Sequence, residues 1–380
     1  MSAVEVIFWA SAGLLVYAQL GYPLVLLALA RLVPNAPPPV GPVATPATVS
    51  LIVAAHNEES VIAAKVANAL ALDWPREHLE VIVCADGCSD ATAARAREAG
   101  ADIVLDLDRR GKIPALDAGV AASSGELLVF SDANVALERQ AIARLADAFT
   151  DPRVGYACGQ VRFVQAGEGP RADNQEGLYW RYEMAVRTLE SRVRSVTAGN
   201  GGIHATRRAA YLVIDPRMDH DIYLPFHMVK QGLRAVYVPD ALGFEKMVSS
   251  IAGEFARKRR FMSHVWITVL RGGMLSPVGY GARYSLMIFS HRVLRYGASA
   301  LHVIAFVANA LLLGRGVVYD VCFGLQLALL LAALLAGAVR LRPLRVARYY
   351  VAMNAAITLG LWDFLTAETP TFWEVPEGTR

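Results

Sequence analysis

The sequence predicts an α/β protein with a mostly parallel sheet, set between apolar segments long enough to cross a membrane. From Thr48 onward, apolar β-rich runs alternate with helical segments, a pattern typical of parallel sheets with right-handed crossovers. Hydrophobic residues make up 55% of the 380-residue chain and are concentrated towards its two ends. That distribution indicates membrane segments around a polar middle region.

The first apolar run extends from Val6 to Ala30 and is longer than the core of a signal peptide. Ala28-Leu29-Ala30 resembles a signal-peptidase site, but no Lys or Arg precedes the run. We therefore interpret residues 1–31 as an uncleaved transmembrane anchor. Arg31 follows the run, so the positive-inside rule places the next segment in the cytosol. Residues 32–47 form a Pro-rich linker.

Four buried strands are predicted in the region after the linker: Thr48–Ala55, Leu79–Ala85, Ala101–Leu105 and a strand beginning at Glu126. Polar or charged side chains follow three of these strands, at Asn57/Glu58, Asp86 and Asp132. The carboxyl ends of parallel strands meet at one sheet edge, and ligands bind outside that edge. The sequence therefore predicts that these side chains converge on one ligand site.

Asp132 and Asn134 follow the fourth strand at positions i and i+2. Their oxygens could hold one hard cation, and Mg²⁺ usually takes its remaining ligands from water and substrate phosphates. The same pair also fits an Asx turn that leaves a strand.

A nucleoside diphosphate could be bound by Glu58, Asp86 and Lys112 together. The two carboxylates can hydrogen-bond a base or ribose, and the Lys112 ammonium can meet phosphate charge. Gly111 would let the backbone approach closely. Individually, Asp86-Gly87 also fits an ordinary turn, and Lys112 also fits a solvated loop.

Four motifs in order, A-x-N-E-E, A-D-G-x-S-D, R-G-K and S-D-A-N, resemble those of family 2 glycosyltransferases with the Rossmann-like GT-A fold. The chain is similar in particular to the membrane-embedded cellulose, chitin, hyaluronan and poly-N-acetylglucosamine synthases. The resemblance runs from about Thr48 to His264 and extends to the flanking membrane segments. It implies a cytosolic GT-A domain at 48–270.

The resemblance further implies a UDP-linked sugar donor and Mg²⁺ or Mn²⁺ as cofactor. Asp86 matches the nucleotide-contacting aspartate, while Asp132 and Asn134 match the metal motif D-x-D. Asn134 departs from that motif because a neutral amide replaces a carboxylate. The predicted donor-binding residues are Asn57, Glu58, Asp86, Lys112, Asp132, Arg257 and Arg260.

Asp221 is the predicted catalytic base, because Asp219-His220-Asp221 matches the family's T-E-D or G-D-D triplet. Leu224 then matches the x-x-Leu position after the triplet, whereas His220 stands where the family has an acid. Asp219 could raise the pKa of Asp221 by like-charge repulsion. The two acids also fit an ordinary helix N-terminus.

The acceptor side is predicted from two further stretches. The Gly-rich turn around Gly199, Asn200 and Gly201 resembles the family's acceptor loop, although it also fits an ordinary loop. Arg257 to Phe261 matches the Q-x-x-R-W motif, with Arg257 in place of glutamine and Phe261 in place of tryptophan. This basic stretch also fits a juxtamembrane patch that meets anionic lipid.

The C-terminal region is predicted to enter the membrane. Residues 271–296 are predicted to form an amphipathic segment at the membrane interface. About three spans follow within 297–368, at Gly297–Gly314, Val317–Val339 and Tyr349–Thr366, before a tail at 369–380. Arginines between the second and third spans indicate a cytosolic loop.

These observations predict an inverting glycosyltransferase in a bacterial-type inner membrane, which transfers sugar to a growing polysaccharide or glycolipid. Its partners would be a nucleotide-sugar, a polysaccharide or lipid-linked acceptor, membrane lipids, and export or assembly subunits. The net charge of only +3 gives no bulk electrostatic support for nucleic-acid binding.

Two alternatives stay open: addition of a single sugar to a lipid, and an inactive export subunit. The second is motivated by the departures at Asn134, His220 and Arg257.

Overall fold

The computed structural model describes residues 1–33, 47–164, 175–246, 251–339 and 341–367. Most of the predicted Pro-rich linker and all of the predicted tail lie outside the described residues.

Among the described residues, eight strands form one mixed sheet in the order β3-β2-β1-β4-β7-β6-β8-β5. The strands are β1 Val49–Ala55, β2 Leu79–Asp86, β3 Ile103–Leu107, β4 Leu127–Asp132, β5 Val135–Leu137, β6 Val154–Val164, β7 Ile203–Arg207 and β8 Arg234–Lys246. Strands β3, β2, β1 and β4 are parallel, as are β6 and β8. Strand β7 is antiparallel to both β4 and β6, and β5 is antiparallel to β8. The predicted α/β class with a mostly parallel sheet is confirmed.

Both faces of the parallel half are covered, which explains its continuous apolar runs. Leu51 and Val53 face one core, whereas Ile52 and Ala54 face the other. The helices of this region are α3 Ile62–Leu70, α4 Thr92–Glu98, α5 Lys112–Ala122, α6 Ala141–Ala148, α7 Gln175–Val193, α8 His220–Lys230 and α9 Ile251–Leu270.

The helices at the two ends of the chain are α1 Ala3–Val16, α2 Tyr22–Leu32, α10 Gly281–Ile288, α11 Leu294–Tyr296, α12 Ala298–Ala310, α13 Val317–Leu335 and α14 Arg342–Thr366. A π-helical turn joins α1 to α2, and another joins α10 to α11.

Two helical segments of the described chain, Ala3–Leu32 and Val317–Leu335, are long and apolar enough to cross a membrane. A third span would result if Gly281–Tyr296 and Ala298–Ala310, which are bent by 62°, act as one. The span predicted at Tyr349–Thr366 falls within α14, which is not among these helices. Helix α14 instead packs on α9, where Arg259 Nε donates to Asp363 Oδ2 at 2.6 Å.

A buried network of charged and polar side chains joins α2 to the middle of the chain. The Glu190 carboxylate accepts hydrogen bonds from Tyr22 Oη at 2.6 Å and from the Thr197 backbone N–H at 3.0 Å. His291 Nδ1 lies 2.8 Å from the same carboxylate. Burial alone would raise the pKa of Glu190, but His291 and the Arg292 guanidinium lower it overall. The network fixes α2, α7 and the segment after α10 against each other. Arg292 is therefore buried, although the sequence predicted an interfacial segment there.

The close packing of α5 on β1 and β2 generates a stability prediction. A Cβ at Gly119 would lie 2.6 Å from Ile52 Cγ2 and 2.7 Å from Cys84 Sγ. We expect Gly119→Ala to lower the free energy of unfolding by about 1–3 kcal/mol through overpacking. Gly13→Ala is the control, because a Cβ there meets no atom within 4 Å. Thermal unfolding in detergent measures both variants, and an unchanged midpoint in Gly119→Ala would contradict the prediction.

Candidate active site

A cavity of about 470 Å³ opens beside the carboxyl ends of the parallel strands. Most of the predicted site residues line it, namely Glu58, Lys112, Asp132, Asn134, Gly199, Asn200, Gly201, Asp221, Arg257, Arg260 and Phe261. The cavity thus brings together the residues predicted for the donor, the metal, the base and the acceptor.

Asp86 and Asn57 are not among the lining residues of this cavity. Buried Asp86 accepts hydrogen bonds from the backbone N–H groups of Arg110 at 2.7 Å and Gly111 at 3.0 Å. Asn57 has a φ of 52° and its Oδ1 accepts from the Ser89 backbone N–H at 2.8 Å. Both side chains position loops at the sheet edge, and direct contact with a nucleotide stays a prediction for them.

Asp132 ends β4 and forms an ion pair with Lys112 at the start of α5. Burial alone would lower the pKa of Lys112, but the Asp132 carboxylate raises it overall. This pair combines one cation and one anion at the edge where the sequence predicted phosphate and metal binding.

Glu245 is an acid of this site that the sequence analysis missed. Asn134 Nδ2 donates to Glu245 Oε1 at 3.1 Å. Burial, with the Asp132 charge added, raises the pKa of Glu245 to about 7. The antiparallel pairing of β5 with β8, which sets Glu245 opposite Val135, brings the residue here. No local motif signals that pairing.

Lys65 was also missed, because it lies within an otherwise apolar helix face. Its buried Nζ donates to Ser131 Oγ at 2.7 Å and to the Val135 carbonyl at 2.6 Å. These bonds brace the turn between β4 and β5, which carries Asp132 and Asn134. Burial lowers the pKa of Lys65 to about 7.

The donor set at this turn fits a hard divalent cation. Asp132 and Glu245 offer carboxylate oxygens and Asn134 an amide oxygen, the ligand types that Mg²⁺ and Mn²⁺ accept. In the described part of the chain, no group of three His, Cys, Asp or Glu side chains could hold a metal ion alone. Oxygens from a bound phosphate would complete the coordination, as is usual for Mg²⁺.

Asp221 lies in the first turn of α8, with Asp219 as the residue before the helix. Burial raises the pKa of Asp221 to about 7, and the neighbouring Asp219 adds to the rise, while Lys112 and Arg187 oppose it. A carboxyl with such a pKa is suited to accept a proton near neutral pH. His220 points elsewhere, since its ring packs against Phe130 and Tyr211.

The Gly-rich turn lies directly against this acid. The Gly199 N–H donates to the Asp221 carbonyl at 2.5 Å, and a Cβ at Gly201 would lie 3.7 Å from Asp221 Oδ2. A Cβ at Gly199 would approach Tyr156 Oη within 1.8 Å, so only glycine fits at this position.

Another part of the cavity wall contains charged residues that the predicted site did not include. They are Glu183 and Arg187 on α7, Lys258 on α9, and Arg292 and Arg295 near α11. Arg295 Nη1 donates to Glu183 Oε2 at 2.6 Å. The segment predicted as interfacial therefore contributes to the cavity wall.

Comparison with known proteins agrees with the sequence motifs. Residues 50–212 match the model of glycosyl transferase family 2. The chain is 28% identical over 213 residues to an N-acetylglucosaminyltransferase of Rhizobium meliloti, covering 51% of this chain and 50% of that protein. It is 30% identical over 230 residues to a poly-beta-1,6-N-acetyl-D-glucosamine synthase of Staphylococcus aureus, covering 56% and 53%. The matches thus span about half the length of these curated relatives.

A solved structure shares the fold over nearly the whole chain. It is the mannosyltransferase PcManGT from Pyrobaculum calidifontis in complex with GDP-Man and Mn2+. That structure is 21% identical, has a TM-score of 0.70, and covers 96% of this chain and 99% of its own. The predicted resemblance to family 2 glycosyltransferases is confirmed by the match of residues 50–212 to that family model, and the fold that contains them is of the GT-A type.

Proposed function

We propose that the protein is a membrane-bound, inverting glycosyltransferase that moves a sugar from a nucleotide-sugar to a polysaccharide or glycolipid acceptor. The observation that carries this proposal is the position of Asp221 in the same cavity as the Asp132–Lys112 ion pair. A UDP-linked donor is proposed from the motif resemblance. The named relatives, which are N-acetylglucosaminyltransferases and synthases, support a hexose-type sugar.

In the proposed reaction, Asp221 accepts the proton of the acceptor hydroxyl while that oxygen attacks the anomeric carbon. The new C–O bond forms on the face opposite the leaving diphosphate, whose bond to the sugar breaks, so the configuration inverts. Lys112 and Arg260 would stabilise the negative charge that develops on the diphosphate.

Asp132, Asn134 and Glu245 would hold Mg²⁺ or Mn²⁺. When bound, the ion supplies charge stabilisation for the diphosphate oxygens. The neutral Asn134 is compensated in this proposal by the carboxyl of Glu245, which contacts it.

The membrane arrangement is part of the proposal. Ala3–Leu32 and Val317–Leu335 would anchor the protein in a bacterial-type inner membrane, with the catalytic domain in the cytosol. The small number of such helices in the described chain favours a second candidate, addition of one sugar to a lipid acceptor. A product ladder would indicate a polymerase, whereas one discrete glycolipid would indicate single addition.

Nucleotide diphosphate release from detergent-purified protein tests the function. We expect release with one member of a panel of UDP-, GDP- and dTDP-sugars, in the presence of acceptor and Mn²⁺. Asp221→Asn should lower kcat by about 10²–10⁴-fold, because it removes the base. Asp240→Asn, a change at an exposed acid, is the control. Equal release by Asp221→Asn and the native protein would exclude this base.

The pKa of Asp221 predicts the pH dependence of the reaction. Because the base must be deprotonated, kcat/KM should fall about tenfold per pH unit below pH 7 and level off above it. Asp219→Asn removes a charge that raises this pKa, so the acidic limb should move to lower pH. Initial rates across pH 5–9 measure the shift, with Asp240→Asn again as reference. An unmoved limb in Asp219→Asn would rule out the coupling.

Metal removal provides a separate test. Chelation with EDTA should abolish turnover, and Mn²⁺ or Mg²⁺ should restore it. Asp132→Asn and Glu245→Gln should each raise the Mn²⁺ concentration for half-maximal activity by about 10–100-fold. Glu126→Gln, at an exposed acid, should leave it unchanged. If Glu245→Gln behaves like Glu126→Gln, the assignment of Glu245 to the metal site is wrong.

A further inference from the structure

Several basic side chains line one end of the cavity. They are Arg187, Lys258, Arg292 and Arg295, which we call the cation cluster, and the Glu183 carboxylate lies among them. Arg292 and Arg295 lie just before α12, in the bent helix pair that could form a membrane span. Two members of the cluster are therefore carried by a segment that could enter the membrane.

Two of the four members of the cluster have hydrogen-bond partners. Arg295 donates to Glu183, and Arg292 Nε donates to Thr197 Oγ1 at 2.9 Å. Lys258 Nζ lies 5.6 Å from the centre of the Phe261 ring. Burial lowers the pKa of Lys258, and nearby Arg295 adds to the effect. An anion bound at this end would stabilise the charged form of the amine.

Although Arg292 Nη2 also lacks a hydrogen-bond partner in the described structure, Arg187 has two such nitrogens. Its side chain is 8% exposed, and its Nε and Nη1 atoms have no hydrogen-bond partner in the described structure. Its guanidinium carbon lies 6.0 Å from the centre of the Trp180 ring, which also lines the cavity. A buried guanidinium with unmet N–H groups is costly, and its fork geometry matches phosphate oxygens.

The location of Arg187 separates it from the donor phosphates. The donor end contains Lys112 and Arg260, whose charges act on Asp219. Asp221 is influenced by Lys112 and also by Arg187. Helix α5, which carries Lys112, packs on β1 and β2, whereas α7, which carries Arg187, packs with α8 against β6 and β8. The helix of Asp221 therefore adjoins the half of the sheet on which Arg187 lies, and inversion requires the acceptor on the side opposite the leaving diphosphate. An anion at Arg187 would therefore belong to the acceptor.

We propose that Arg187, supported by Lys258, binds a phosphate group carried by the acceptor next to the hydroxyl that Asp221 deprotonates. The acceptor would then be a phosphate ester, either a lipid headgroup or a soluble phosphate compound. This inference rests on the proposed function for the identity of the bound phosphate as acceptor.

Phosphate binding can be measured without knowing the acceptor. The full-length protein in detergent is saturated with UDP and Mn²⁺ and titrated with glycerol 1-phosphate by calorimetry. A second arm measures binding of UDP-saturated protein to nanodiscs of phosphatidylglycerol or of phosphatidylcholine. The variants are Arg187→Gln, Arg187→Lys and, as a matched control, Arg192→Gln at an exposed arginine of the same helix.

We expect glycerol 1-phosphate or phosphatidylglycerol to bind the UDP-saturated protein, and the arm that responds identifies the source of the phosphate. Arg187→Gln should weaken that binding at least about tenfold, Arg187→Lys less, and Arg192→Gln not at all. Thermal unfolding shows whether each variant is folded, and the lysine variant tests the charge if the glutamine variant is not.

Competition between glycerol 1-phosphate and UDP, equal binding in all variants, or no binding in either arm would overturn the inference. UDP binding is recorded on the same samples. If UDP does not bind, the proposed function is wrong. Binding of glycerol 1-phosphate to the native protein and to the Arg187 variants in the absence of UDP would still show whether Arg187 binds phosphate.

Discussion

The structure depends on β4, the strand at which the two halves of the sheet meet. It pairs in parallel with β1 on one side and antiparallel with β7 on the other. The carboxyl end of β4 is therefore next to the start of β7, so Asp132 comes close to the Gly-rich turn before Ile203. One strand thus brings the predicted donor edge and the predicted acceptor loop to the same cavity.

Burial and nearby charges together set the pKa of each carboxyl group in and around the cavity. Carboxyls without sufficient compensation, such as Asp221 and Glu245, have raised pKa values. Glu190, which has basic neighbours, has a lowered one despite burial. Both outcomes follow from the opposing effects of desolvation and nearby charge. The proposed base and the structural acids are all carboxylic acids, distinguished by their neighbours.

The network around Glu190 gives the flanking helices a role in the site. Tyr22 of α2 and His291 meet on this carboxylate, and Thr197, which leads into the Gly-rich turn, bonds to it as well. Arg292 and Arg295, from the same segment as His291, line the cavity. The segment before α12 therefore lines the cavity, and α2 helps to hold that segment in place through Glu190.

The sequence by itself determined the α/β class, the parallel strands and the edge at which Asp132 lies, because strand periodicity and strand-end positions are local signals. Motif register also pointed to Asp221, which the structure brings into the cavity. Only the tertiary structure decided that Glu245 contacts Asn134, that Lys65 braces their turn, and that Arg187 faces Asp221's cavity. The first of these contacts joins residues 111 positions apart. Such contacts depend on strand pairing and on desolvation, and neither leaves a signature in the spacing of residues along the chain.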